Sequence, residues 1–237
     1  DHFNTVLYTG NGSTQSITGV GFQPDWCWTK GRGSSAYDHQ LFDAVRGATK
    51  AIASNDNIGE STFSNSLTSF DSDGFSLGDF ARTNSNGDNK VSWNWKANGQ
   101  GSSNTDGSIN TTYTSANTTA GISISQYTGT GSNATIGHGL GVAPKMILMK
   151  KLSGSAGWVV YNHTIGAGKY LRLNTTDAEA SDTNIFNNTA PTSSLFSVGT
   201  DADNNGSGAT YVAYCFAEKK GFSKFGSYTG NGNADGA

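Results

Sequence analysis

The side chains able to do acid–base chemistry are few and scattered. The histidines are His2, His39, His138 and His163, and the glutamates are Glu60, Glu179 and Glu218. A hydrolytic centre needs a nucleophile beside a base, or two carboxylates facing one bond. No histidine here sits in such a motif, and the glutamates read as loop or strand-end residues. His138, within Gly137-His138-Gly139, reads as a backbone-bonded or exposed turn imidazole rather than a base. No catalytic residue is assigned, and a non-enzymatic chain is expected.

Two other residue sets carry binding chemistry. Asp71 and Asp73 in Asp71-Ser72-Asp73-Gly74, and Asp201 and Asp203 in Asp201-Ala202-Asp203-Asn204-Asn205, offer oxygens to calcium. The distal glutamate of a calcium loop is missing from both, so a hairpin turn is the first reading and calcium the second. No other cofactor is expected. The indoles of Trp26, Trp28, Trp93, Trp95 and Trp158 have flat faces that suit pyranose rings. Four of them alternate along strands and are assigned to an inward face. Trp158 follows the loop 153–157 and is the candidate exposed, carbohydrate-binding residue. Cys27 and Cys215 lie among large apolar neighbours and read as two buried free thiols, with no zinc spacing around them.

The elements that position these residues are strands. Runs rich in β-branched and aromatic types, bounded by Gly, Asn or Asp, predict strands at 26–30, 91–96, 145–150, 158–162, 170–174 and 210–217. The one segment with helical character, Leu41 to Gly47, is assigned to a strand because its counterpart Val159-Val160-Tyr161-Asn162 is strand-like. Short strands joined by polar turns predict an all-β fold, an antiparallel β-sandwich of jelly-roll type, with a barrel as the alternative.

Self-comparison organises the chain. Leu7-Tyr8-Thr9-Gly10-Asn11-Gly12 returns around Tyr127 and again around Tyr228, and Pro24 maps on Pro144. Gly74-Phe75-Ser76-Leu77-Gly78 maps on Leu195 to Gly199, and Val91 to Trp95 on Val212 to Phe216. Two tandem β-sandwich repeats are therefore expected, 1–108 with a linker and 109–221. Residues 222–237 are expected to open a third copy in a longer polypeptide. The stretch Asn98 to Thr119 reads as linker, with a weak strand signal at 108–114.

Composition excludes some partners. Only 14% of residues are charged, and 15 Lys and Arg stand dispersed against 18 acids, so no phosphate-binding patch forms and no nucleic acid is expected. Lys150-Lys151 and Lys219-Lys220 read as solvated strand ends. No apolar run approaches the roughly 20 residues of a membrane helix, and no membrane partner is expected. The first residues lack signal-peptide features, which leaves the compartment open, since a leader is removable. The sequons, such as Asn162-His163-Thr164, are what chance yields in an Asn- and Thr-rich chain.

The blocks Tyr8-Thr9-Gly10-Asn11-Gly12, Ile17 to Asp25, Asp43-Ala44-Val45-Arg46-Gly47 and Ser69 to Phe75 resemble a repeat family in virion structural proteins of tailed phages, marine and cyanobacterial phages especially. Gly137 to Pro144 and Tyr214-Cys215-Phe216-Ala217-Glu218 fit the same pattern, so the resemblance spans almost the whole chain. It implies a concanavalin A or laminin G-like jelly roll in a tail fibre or similar appendage, and a virion or extracellular location. It carries no catalytic or ligand residues. The expected partners are further copies of the chain, as a homotrimer or polymer, and a host surface glycan. A bacterial adhesin or filament subunit, or a spacer without ligand, is the alternative.

Overall fold

The computed structural model describes residues 1–33 and 36–234. Residues 34–35 of the expected first unit and 235–237 of the expected third lie outside the described residues. The first half runs β1 (Phe3–Thr9), β2 (Gln15–Ile17), β3 (Trp26–Gly31), β4 (Gln40–Asp43), β5 (Lys50–Ala51), β6 (Ser61–Thr62), β7 (Leu67–Asp71), β8 (Gly74–Leu77), α1 (Ala81–Asn84) and β9 (Asn89–Trp95). The second half runs β10 (Tyr113–Asn117), β11 (Ile122–Thr128), β12 (Ala134–Gly137), β13 (Met146–Lys151), β14 (Val159–Asn162), β15 (Lys169–Tyr170), β16 (Ala180–Ser181), α2 (Thr183–Phe186), β17 (Leu195–Val198), α3 (Ala202–Asn205) and β18 (Thr210–Phe216).

The fold is an all-β, antiparallel sandwich. One large sheet has the order β1-β9-β3-β4 and the other β10-β11-β18-β13-β14, so the last four strands of the second repeat the order of the first. Each large sheet is backed by a smaller one, β2-β8-β7 in the first half and β12-β17 in the second. Pro24 and Pro144 are both buried two residues ahead of β3 and β13.

Side-chain anchors recur at the offsets seen in the sequence. Tyr8 Oη donates to Thr83 O at 2.8 Å, and Tyr127 Oη to Asn204 O at 2.7 Å. Asn84 accepts from Asn11 N and donates to Gly78 O and Ser13 O; Asn205 accepts from Thr130 N and donates to Gly199 O and Ser132 O. The Tyr-Thr-Gly-x-Gly motif follows from this packing. A Cβ at Gly10 would lie 2.2 Å from Ser85 O, and one at Gly129 2.5 Å from Gly206 O, so neither position admits a side chain. The second glycines, Gly12 and Gly131, have φ of 66° and 72°, where glycine is favoured.

Three apolar layers result. One, with Cys27, Phe42, Leu67 and Phe75, lies between β1-β9-β3-β4 and its backing sheet; a second, with Tyr127, Met149, Phe196 and Cys215, is its counterpart in the other half. The third joins the halves: Trp26, Leu41, Val45 and Ile52 meet Ile124, Leu148, Trp158, Val212 and Tyr214 between the two large sheets. Cys27 and Cys215 are both buried free thiols, held in different layers.

Several expectations change. The segment 98–119 is ordered: Ile109 is buried in the second half's core, and β10 forms the sheet edge at 113–117 rather than at 108–114. Its polar composition concealed this because an edge strand buries little. Lys150 is not a solvated strand end, since its stem is buried between the halves. The strand expected at 170–174 shrinks to Lys169–Tyr170 plus one bridge at Leu171, because turn residues from Asn174 interrupt it. Leu41 to Gly47 is strand only to Asp43 and then a turn. Tyr228 is 94% exposed and lies in no strand, unlike Tyr8 and Tyr127; a strand needs a hydrogen-bonded neighbour, and 227–232 has none among the described residues.

Replacing Asn84 or Asn205 by alanine removes at least three bonds to backbone groups in a buried site. Each change is expected to cost about 2–4 kcal/mol, read as a lower urea midpoint with unchanged slope.

Candidate functional site

The two large sheets cover each other unequally, and this creates the site. In the second half Ile122, Ile124, Leu148, Val212 and Tyr214 are all buried on the facing side. The equivalent side of the first half carries Phe3, Leu7, Trp28, Trp93 and Trp95, by strand register. Trp28, Trp93 and Trp95 are only half-buried, while Phe3 is 38% and Leu7 60% exposed. The indole rings expected on an inward face are therefore split. Trp26 is sealed inside, and the other three emerge at the rim.

An aromatic stack runs from that rim into the core. Trp95 stacks on Trp26 at 4.4 Å, Trp26 on Tyr214 at 4.5 Å, and Tyr214 on Trp158 at 6.3 Å. At the open end, Trp28, His39, Trp93 and Trp95 line a hollow of about 270 Å³. Trp28 Nε1 donates to His39 Nδ1 at 2.7 Å, which fixes the indole and makes that imidazole nitrogen an acceptor. Burial, with Lys30 nearby, holds the His39 pKa below the ordinary histidine range, though Asp38 opposes this. A second cleft of about 270 Å³ opens between the sheets against Trp26, Met146, Phe216 and Phe225. Trp26 Nε1 is buried there without a hydrogen-bond partner among the described residues. Such a donor carries an unmet desolvation cost until an acceptor reaches it.

Trp158 is not the exposed sugar platform expected from its loop. It is fully buried, and its Nε1 donates to Ala53 O at 2.8 Å across the junction of the halves. The loop before it is itself clamped, as Ala156 N donates to Asn57 O and Glu60 N to Leu152 O.

The four candidate calcium ligands are not brought together. Asp71 accepts from Ser69 and Ser76 hydroxyls, and Asp73 from the amides of Gly19 and Gly21, which hold its carboxyl below the usual range. Asp201 caps α3 in the other half by accepting from Asp203 N, and Asp203 pairs with Arg172 at 2.6 Å. No group of three His, Cys, Asp or Glu side chains converges among the described residues. Asp71 and Asp73 stand at the β7–β8 hairpin turn, whereas Asp201 caps the one-turn helix α3 and Asp203 lies within it. His138 is buried and backbone-bonded: Leu140 N donates to its Nδ1, and its Nε2 lies 3.2 Å from Thr192 O.

Charged groups lock the junction below the site. Arg46 donates to Asp43 at 2.6 Å and to Glu60 at 3.3 Å, with Arg46 and Asp43 side chains almost wholly buried. Tyr214 Oη donates to Asp43 Oδ2 at 2.6 Å from the other half. Desolvation pulls the guanidinium's pKa down, but Asp43, Tyr214 and Glu60 outweigh it and the net shift is upward. Lys150 has no acid in contact and donates instead to the carbonyls of Asn57, Ala156 and Lys151.

The match to known families joins these halves in one unit. A model described as a domain of unknown function, DUF7483, matches residues 1–237. The chain belongs to the DUF7483 family. Comparison with curated proteins and with solved structures returned no match. The DUF7483 match runs through both halves and the 98–119 segment without a break, as the shared core does. Sequence reasoning missed Trp28, Trp93 and Trp95 as site residues in this DUF7483 chain. Their alternation gave the correct face; which part of that face stays uncovered depends on how the sheets stack, and no local signal encodes that.

Burial pushes the Lys150 ammonium down to about 8. Between pH 8 and the ordinary lysine value the unfolded chain binds the extra proton, so stability rises with pH. The expected gain is about 2 kcal/mol from pH 8 to 10, absent in Lys150→Met. Above pH 10 the buried Tyr127 and Tyr214 and the half-buried Tyr8, whose pKa values desolvation raises, oppose it. Urea unfolding at fixed pH steps checks both slopes.

Proposed function

We propose that this chain is a non-enzymatic structural and adhesive module that binds a surface polysaccharide through the Trp28–Trp93–Trp95 face. The observation that carries the reading is the asymmetry of the two large sheets. The second half buries Leu148, Tyr214 and Val212 on this side, whereas the first half leaves three tryptophans and Phe3 partly in water. A contiguous exposed aromatic face implies a partner. Indoles suit pyranose rings because the apolar face of the sugar stacks on them while its hydroxyls stay solvated.

The resemblance of the repeated blocks to tailed-phage virion proteins supports an appendage of a virion, with a host surface glycan as ligand and further copies of the chain as partners. The low charge and the hydroxyl- and amide-rich surface suit an extracellular or virion setting equally well. A cellular adhesin would use the same face, and gene neighbourhood separates the two: capsid, portal and tail genes beside this one are required by the virion reading.

Glycan-array screening followed by calorimetry tests the ligand. Trp93→Ala and Trp28→Ala are expected to weaken polysaccharide binding tenfold or more, while Tyr228→Ala, at an exposed residue that lines neither hollow, leaves it unchanged. Absence of binding by the unaltered chain to any polysaccharide, with or without calcium, would leave a spacer role in place of this one.

A further inference from the structure

The halves are alike in backbone, so a place filled by side chains in one and open in the other points to what the open one receives. In each half a segment bridges back to the outer strand of the large sheet, Ile52 to Leu41 and Leu171 to Val160. The short hairpins beside these bridges pair Ala51 with Ser61 and Tyr170 with Ala180. Ala51 therefore stands where Tyr170 does, and Ala53 where Arg172 does. The helices α1 and α3 end on the matching Asn84 and Asn205, which sets Arg82 at the position of Asp203. In the second half these side chains fill the place together: Arg172 pairs with Asp203 at 2.6 Å, and its guanidinium lies 4.9 Å over the Tyr170 ring.

In the first half the two alanines leave it open. A pocket of about 90 Å³ remains, with Gln40, Ala51, Ala53, Asp56, Ile58 and Arg82 in its lining. Gln40 precedes Leu41 as Val159 precedes Val160, and it is 1% exposed. A buried carboxamide in the place of a valine costs free energy unless its polar atoms are bonded. Its Nε2 donates to His39 O at 3.1 Å, while its Oε1 accepts no bond among the described residues. The pocket wall is held from outside. Glu60 N donates to Leu152 O and Lys150 Nζ to Asn57 O, so the other half fixes the loop that carries Asp56 and Ile58.

The charges around the pocket are balanced. Arg82 pairs with Asp38 at 3.2 Å, and Asp56 Oδ1 accepts from the amides of Asn57 and Ile58. A free carboxylate would meet Asp56 and Asp38, and an ammonium would meet Arg82, so the lining suits a small neutral group with a donor, an acceptor and an apolar end. An acetamido group has all three. Its methyl suits the two alanines, its N–H an acceptor such as Gln40 Oε1, and its carbonyl the guanidinium donors of Arg82. We propose that this pocket takes the acetamido group of an N-acetylated amino sugar, whose ring rests at the mouth on Ile58, a residue 55% exposed. The site is separate from the tryptophan face and does not depend on it.

Saturation-transfer NMR on the intact chain tests it, with N-acetylglucosamine, N-acetylgalactosamine and glucose as probes. The acetamido methyl of at least one N-acetylated sugar is expected to saturate most strongly, and glucose is expected to give no signal. Ala53→Arg combined with Arg82→Asp rebuilds the second half's ion pair inside the pocket. It is expected to keep or raise the thermal midpoint and to abolish the methyl signal. Gln40→Val, which copies the residue of the second half, is expected to weaken binding about tenfold, the loss of one hydrogen bond, without lowering the thermal midpoint. Absence of binding by both N-acetylated sugars, equal binding of glucose, or an affinity unmoved by Gln40→Val overturns the proposal. A methyl signal that survives the filled pocket and disappears in Trp93→Ala overturns it as well, and puts the sugar on the tryptophan face.

Discussion

Everything above β-sandwich level depends on one buried contact, the one in which Asp43 of the first half receives both the Arg46 guanidinium and the Tyr214 hydroxyl of the second. A buried ion pair is costly to form and more costly to leave half-made. With Tyr214 withdrawn, Asp43 Oδ2 would lose its short neutral donor and the Trp26 ring its stacking partner. The halves therefore cannot slide past each other by a residue without taking the Tyr214 hydroxyl from this buried carboxylate, although Arg46 stays paired with it. The equivalent turn in the second half keeps the backbone geometry without the charges. Gly47 N donates to Asp43 O and Gly166 N to Asn162 O, but Asn162 and Ile165 stand where Asp43 and Arg46 do. The ion pair occurs in the copy where a facing tyrosine completes it.

The same division runs through the rest of the chain. Turn and anchor residues, Gly10 with Gly129, Asn84 with Asn205 and Tyr8 with Tyr127, do the same job in both halves because backbone approach and left-handed turns allow few alternatives. Side chains on the facing sheets differ because their surroundings differ. Lys90 shows the limit of this freedom. Its ammonium donates to Ala81 O and Arg82 O, where Tyr211 sends its hydroxyl to Ala202 O in the other half. Ala81 and Ala202 open the one-turn helices α1 and α3, and either a lysine or a tyrosine at this strand position reaches their carbonyls. Only the lysine brings a charge with it, which Asp88 at 2.7 Å neutralises.

This division also explains what was legible in the sequence. Strands such as Trp26 to Lys30 and Thr210 to Ala217 were found almost to the residue, since alternation and bounding glycines are local signals. The one-turn helices α1, α2 and α3 were not, because four residues carry no helical period. The four-layer stacking was out of reach for a similar reason. Lys150 and Trp158 looked like a strand end and a post-loop residue, and each is buried only because loop 53–60 of the other half lies over it. Long-range burial of a residue flanked by polar neighbours leaves no trace in its own segment. The aromatic face was thus visible as residue types, while its exposure was not.

The aromatic face continues onto β1, the outermost strand of its sheet. β1 supplies Phe3 and Leu7 to the side that Trp93 and Trp95 occupy, and Phe3 lies 4.9 Å from Trp95, so whatever extends the sheet at β1 also widens the aromatic surface. Trp28 and Trp93 pair across β3 and β9 and Trp95 follows two residues on, so the indoles form one continuous surface with several stacking positions. A polysaccharide presents the same ring many times along one chain, and a two-site surface converts the second ring contact into an intramolecular event. On the proposed reading, several shallow stacking contacts made together would hold such a ligand without a deep pocket. That is the arrangement a shallow hollow and three half-buried tryptophans are suited to build.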